Sequence, residues 1–328
     1  MYQTQNLKEQ LQSISNDLIL PGDFHDKLVP AITAYTKLLF DIGKIEPEKN
    51  GERNDVKLPF GHAIGTFWAA NCVKEVLRTQ RFVRGLYEAV QDKLAQKSGP
   101  VHVLYAGTGP FATLALPVMA QFSADEVQFT LLEINETSHK KLLDVIKAFD
   151  LNKYIRRIEI TDATTCILPD TDVDIVLSET LNRALITEPQ VFIMLNLASQ
   201  LGENVIFLPE EITVNLSEKK KKESEPRKIK TLINFNHNKM KDIIRQSEKY
   251  HWVFDEVGVN IGDVEPGNLY YTTEIKVYRN NFLGYEDSSL NLLERVKLDQ
   301  EDAKAVTFKY YAAGKVGFSV YSNNVLST

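Results

Sequence analysis

Gly107-Thr108-Gly109-Pro110-Phe111-Ala112 follows a short apolar run, His102 to Ala106, and precedes a helical pattern. Glycines at such a turn let the backbone pass close to a ligand, and the start of the helix offers free N–H groups. Glu133 closes the next strand-like run, 24 residues after Gly109. A carboxylate there typically accepts hydrogen bonds from both ribose hydroxyls of an adenosine. Two cofactor classes share this geometry, dinucleotides and S-adenosylmethionine, and the turn nominally satisfies G-x-G-x-x-G/A. A tight turn that binds nothing is the plainer alternative. Downstream, Val173 to Leu177 leads into Ser178-Glu179, and Glu188 follows nine residues after Glu179. The only cysteines are Cys72 and Cys166, which excludes a disulfide scaffold and a cysteine-rich zinc site. The 6 histidines are scattered without metal-ligand spacing, so no metal is expected.

These residues need elements to hold them. The chain has 328 residues, 43% hydrophobic and 25% charged, enough for one large core and a second smaller one. Its formal charge of −6 argues against a dedicated nucleic-acid binder. No run reaches the roughly 20 apolar residues of a membrane span, and Met1 to Leu20 is too charged for a signal peptide. A soluble cytoplasmic protein is expected. Residues 1–57 read as a helical extension, with Leu7, Leu11, Ile14 and Leu18 at helical spacing. Across 58–208 a long helix, about Ala63 to Leu94, precedes strands alternating with helices, which means a parallel, doubly wound sheet. After Pro209 the alternation ceases. The region 209–328 reads as an antiparallel, barrel-like β domain, interrupted by a charged helical arm at about 217–250. The tract Lys219 to Lys222 lacks the interleaved aromatics of a nucleic-acid surface and reads as solvated charge.

Together, Glu75, Arg78-Thr79, Gly107, Gly109, Glu133, Ser178-Glu179, Leu185 and Glu188 keep an order and spacing that resembles the protein arginine methyltransferase family. The resemblance covers roughly 58–216 and continues more loosely to the C-terminus. It implies a Rossmann-like cofactor domain followed by a β-barrel, and S-adenosyl-L-methionine as cofactor. By the same resemblance, Arg78 pairs with the methionine carboxylate and Gly107 and Gly109 admit the methionine and ribose. Glu133 holds the ribose hydroxyls, and Asp162 lies where the adenine is contacted. Glu179 and Glu188 become the catalytic pair, two carboxylates that fork onto a guanidinium and offset the charge of the sulfonium. A homodimer joined through the charged arm is implied as well.

The sequence also departs from the family. Tyr105 stands where an aspartate is usual, Phe111 replaces a third glycine, and Thr180, Leu181, Asn182 and Arg183 occupy the interior of the two-glutamate loop. The family's late threonine-histidine-tryptophan loop is missing from its expected place. The expected function is therefore N-methylation of a guanidino or amino group on a protein, peptide or small molecule. Three alternatives stand beside it: methylation of an oxygen or carbon of a metabolite, a non-catalytic interaction protein retaining the fold, and a dinucleotide-dependent oxidoreductase.

Overall fold

A computed structural model describes residues 2–23, 25–46, 50–262, 264–300 and 303–322. The chain opens with α1 (Tyr2–Ile19) and α2 (His25–Gly43), which bury the apolar stripes containing Leu11, Ile14, Leu18, Leu28, Ile32 and Tyr35. The short helix α3 (Asn50–Arg53) leads into a hairpin, β1 (Val56–Leu58) and β2 (Gly61–Ala63). The single long helix expected from Ala63 to Leu94 is broken. It becomes β2, α4 (Thr66–Asn71), a tight turn at Cys72–Lys74 and α5 (Val76–Leu94), with Glu75 extended at φ −80°, ψ 101°. Tertiary contacts outweigh helical continuity there. Glu75 accepts hydrogen bonds from the backbone N–H and Oγ of Ser289, each 2.7 Å, and from Arg78 Nη1 at 2.6 Å.

From Val101 the expected alternation follows: β3 (Val101–Ala106), α6 (Leu116–Gln121), β4 (Val127–Glu133), α7 (Glu136–Ala148), β5 (Ile155–Ile160), β6 (Ile175–Ser178), α8 (Gln190–Ala198) and β7 (Ile206–Leu208). The strands pair in parallel in the order β5-β4-β3-β6-β7. Nearly continuous apolar runs such as those of β3 and β6 suit a sheet covered on both faces. The chain moves outward from β3 to β5 and then returns to β6 on the other side of β3. That reversal opens a crevice beyond the carboxyl ends of β3 and β6, where doubly wound sheets bind ligands.

The N-terminal helices are fixed to the glycine segment. Ser15 Oγ donates to the Pro117 carbonyl at 2.6 Å and Tyr35 Oη to the Thr113 carbonyl at 2.7 Å. Phe111 is fully buried 5.8 Å from Phe40, in a space that a side chain at Gly43 would fill. The residue replacing a glycine thus anchors α2.

The C-terminal part consists of β8 (Glu211–Glu218), β9 (Arg227–Asn236), α9 (His237–Gln246), β10 (Glu256–Asn260), β11 (Leu269–Tyr278), β12 (Asn281–Leu283), β13 (Glu294–Arg295), β14 (Ala305–Tyr310) and β15 (Phe318–Ser322). Two antiparallel sheets form, β12-β11-β8-β9 with β13 beside β11, and β10-β14-β15. Tyr271 joins them, its ring 6.0 Å from Phe308 and 5.4 Å from Phe318. The expected exposed arm is absent from this arrangement. Lys219 to Lys222 cap the β8–β9 hairpin, Leu232, Ile233 and Phe235 are buried in β9, and α9 packs on α8, burying Met240 and Ile243. The apolar side chains of this segment are covered by the chain itself. Among the described residues, no helix is long and apolar enough to cross a membrane.

Phe192 on α8 joins the two parts of the molecule, stacked 5.0 Å from Phe60 and edge-on to Tyr311 at 4.5 Å and Phe254 at 6.4 Å. Phe192→Ala is expected to cost about 3–5 kcal/mol in urea denaturation, the range for a fully buried aromatic. Lys221→Ala on the hairpin tip should stay within about 0.5 kcal/mol.

Candidate active site

The carboxyl ends of β3, β4, β5 and β6 meet at a cavity of about 950 Å³, counting its part open to solvent. Arg78, Gly107, Gly109, Glu133, Asp162, Glu179 and Glu188 all line it. Residues spread over 111 positions of sequence are gathered because most stand at or just after the end of a parallel strand, Glu188 closes the loop between β6 and α8, and Arg78 lies in the first turn of α5.

Gly107 and Gly109 adopt φ 76° and 61°, the left-handed region that glycine enters at little cost. A Cβ at Gly107 would collide with the methyl of Thr180. The turn does not run straight into a helix, since α6 begins only at Leu116. Its amides are used internally: Gly107 and Thr108 donate to the Leu132 carbonyl at 2.9 and 3.3 Å, and Gly109 donates to Glu133 Oε2 at 2.7 Å. Glu133 Oε1 accepts from Asn135 N at 2.8 Å. The Ile134 amide and the Thr108 hydroxyl also face this carboxyl. Burial pushes its carboxyl up to about 7, against the pull of these amide hydrogen bonds. Asp162 lines the cavity while closing its own turn, accepting from Thr164 N at 2.8 Å and Thr164 Oγ1 at 2.7 Å.

Arg78 is 7% exposed, so it is not a surface arginine of its helix. Nη2 lies 2.6 and 2.7 Å from the two oxygens of Glu179, Nη1 binds Glu75, and Nε is buried without a partner. Glu188 differs. Within the described residues its side chain makes no hydrogen bond, and Pro189 stands at the N-cap of α8, so Glu188 does not cap that helix by a hydrogen bond. Burial, then the nearby charge of Glu179, pushes its carboxyl up to about 7. Arg183 points away from the pair and bonds Glu294 at 2.7 Å.

An open groove of about 770 Å³ adjoins the cavity, with Trp68, Leu181, Asn182 and Leu290 on its walls. Arg78 and Glu188 line both spaces and so stand at the neck between them. Sequence reasoning assigned no role to Glu75, although its place three residues before Arg78 is helical pairing distance. It noted Tyr105 only as a departure. That phenol lines the cavity among Glu179, Cys72, Glu133 and Arg78, and burial raises it well above the ordinary tyrosine range.

The raised carboxyls make stability depend on pH. Between the ordinary value of 4.5 and about 7, native Glu133 and Glu188 hold protons that the unfolded chain releases. Their contribution is full below 4.5 and is lost as pH rises through about 7. The unfolding free energy from urea titrations should therefore fall between about pH 5 and 8, by on the order of 2 kcal/mol per carboxyl. Glu188→Gln should remove its share of that slope.

No protein-family model matches this sequence, and no curated protein sequence is similar to it. Solved structures are similar to it. The Trypanosoma brucei PRMT1 enzyme–prozyme heterotetrameric complex with AdoHcy aligns over 78% of this chain and 93% of its own, at 13% identity and a TM-score of 0.48. A PRMT6 crystal structure aligns over 73% of this chain and 94% of its own, at 10% identity and a TM-score of 0.44. Arabidopsis thaliana protein arginine methyltransferase 10 aligns over 43% of this chain and 39% of its own, at 20% identity and a TM-score of 0.34. At such identities the likeness is one of fold.

Proposed function

We propose that this chain is a cytoplasmic methyltransferase that uses S-adenosyl-L-methionine to methylate a guanidino or amino nitrogen on a protein, peptide or small molecule. The observation that carries this reading is one cavity lined jointly by Arg78, Gly107, Gly109, Glu133, Glu179 and Glu188. The residues present fit the cofactor. Arg78 Nε is a buried donor without a partner, suited to a carboxylate. The Glu133 carboxyl lines the cavity and suits the ribose hydroxyls in exchange for part of its present bonding, and Gly107 and Gly109 add no side chain of their own to the wall. Asp162 is the weakest member of the set, since one of its oxygens is committed to Thr164.

When bound, S-adenosylmethionine supplies an electrophilic methyl group on a sulfonium. The chain's own residues orient the acceptor and handle its proton. Glu179 offers a carboxyl fixed in place by Arg78, whose charge opposes the rise that burial causes in it. Glu188, titrating near 7, suits the proton that the acceptor nitrogen gives up, because a general base works best when its pKa lies near the operating pH. Arg183, paired with Glu294, leaves Glu188 open to a cation, while Glu179 already holds Arg78. The enclosed cavity favours exclusion of water, and the groove gives the acceptor its approach. A homodimer remains part of this reading, without the exposed arm that was to form it, and sedimentation at two concentrations checks it.

Calorimetry with S-adenosylhomocysteine and, separately, NADH decides the cofactor, and heat with NADH alone would sink the proposal. Glu133→Ala should weaken S-adenosylhomocysteine by roughly 1.5–3 kcal/mol, the cost of leaving its hydroxyls unpaired. Glu179→Gln and Glu188→Gln should each lower turnover by about 10²-fold with cofactor affinity nearly unchanged. Arg183→Ala should remain within a few-fold of wild type. Full activity in both Gln variants would move the chemistry off this loop.

A further inference from the structure

The loop joining Glu179 to Glu188 has an unfavourable backbone. Ala184, Leu185 and Thr187 take φ of 54°, 54° and 65°, the left-handed region that favours glycine, and Thr187 is β-branched as well. Such strain persists only where the surroundings over-determine it. Here the surroundings come from the β domain. Thr273 Oγ1, on β11, accepts a hydrogen bond from Ala184 N at 2.8 Å. Tyr310 Oη, on β14, donates to the Leu185 carbonyl at 2.8 Å. From the opposite side, His62 N on β2 donates to the Thr187 carbonyl at 2.9 Å. Thr273 and Tyr310 are 1% and 2% exposed, and neither lines the cavity or the groove. At the loop's base, Gln190 accepts from Thr180 N at 2.9 Å and donates to the Ser178 carbonyl at 3.1 Å. Both ends of the loop are thus fixed within the parallel-sheet domain, whereas Ala184 and Leu185 are held from the β domain as well as by the loop's own bond from Leu185 N to the Asn182 carbonyl, 3.0 Å.

We propose that Thr273 and Tyr310 are positioning residues whose hydroxyls hold Ala184 and Leu185 left-handed and so set where the Glu188 carboxylate stands at the neck of the site. The catalytic significance of that placement rests on the methyl-transfer reading of Glu188. The β domain then sets the geometry of the acceptor site without touching the acceptor. The two hydroxyls act at different atoms, one at an amide and one at a carbonyl, so each can be removed alone with little change of shape.

The test uses Thr273→Val, Tyr310→Phe and Thr273→Ser in the full chain. Hydrogen–deuterium exchange over residues 180–188 should rise at least tenfold in the Val and Phe variants, with residues 101–109 unchanged. The carbon-13 titration of the Glu188 carboxyl, assigned by its loss in Glu188→Gln, should move from about 7 towards the ordinary carboxyl range as the side chain gains water. S-adenosylhomocysteine affinity should stay within twofold, and Thr273→Ser, which keeps the hydroxyl, should restore both the exchange and the titration. Unchanged exchange, or raised exchange with the Glu188 titration unmoved, overturns the assignment. So does a parallel rise in exchange at 101–109, which would indicate general loosening. Failure of wild type to bind S-adenosylhomocysteine counts against the methyl-transfer reading instead, and leaves exchange and titration to judge the clamp.

Discussion

Arg78 is a buried cation, and much of the molecule is arranged around keeping it paired. Its two carboxylate partners belong to different parts of the chain. Glu179 follows the last residue of β6, and Glu75 stands at the break before α5, where Ser289 of the β domain also binds it. Removing one member of such a buried pair leaves an uncompensated charge, typically at a cost of 3–5 kcal/mol. The next arginines on the same helix extend the pattern at three-residue steps. Arg81 forks onto Asp23 at 2.6 and 2.7 Å and donates to the Phe282 carbonyl at 3.0 Å, and Arg84 donates to the Leu20 carbonyl at 3.1 Å and bonds Asn281. One helix thereby ties the N-terminal extension, the parallel sheet and the β domain together through charge.

The same burial sets the electrostatics of the site. Each desolvated carboxyl has a different neighbourhood. Glu179 has a guanidinium, Glu133 has backbone amides, and Glu188 has no hydrogen-bonding partner among the described residues. Burial pushes both acids up, but in Glu179 the Arg78 guanidinium opposes that rise, whereas the charge of Glu179 adds to it in Glu188, which reaches about 7. Backbone strain between them adds to the cost. Each left-handed non-glycine residue is worth about 1–3 kcal/mol, and the loop carries three of them between positions 184 and 187.

The parts of this fold legible in the sequence were those encoded locally. Apolar runs ending in Gly107, Glu133 and Glu179 announced the strands, and parallel topology then brings their ends together with Arg78. The misread parts were decided at long range. Nothing within residues 63–94 signals the break at Glu75, because the hydrogen bonds that favour it come from Ser289. Phe111 looked like a defect in a glycine motif, and its compensating vacancy, Gly43, lies at the far end of α2. The segment after Ser217 was read as an arm because its lysines obscured the strand in β9, whose apolar residues are matched by pairing with β8. Thr273 and Tyr310 carry no local mark at all. A hydroxyl that bonds a distant main chain looks like any other strand residue.

Trp68 on the groove wall is 49% exposed, whereas Trp252, the other of 2 tryptophans, is 5% exposed. The indoles therefore report on separate environments, one wet and beside the carboxylate neck, the other enclosed. Quenching by a water-borne agent will fall almost wholly on the first. Intrinsic fluorescence thus gives the molecule an optical reporter for whatever enters the groove, with no label to perturb it and an internal reference in the same spectrum.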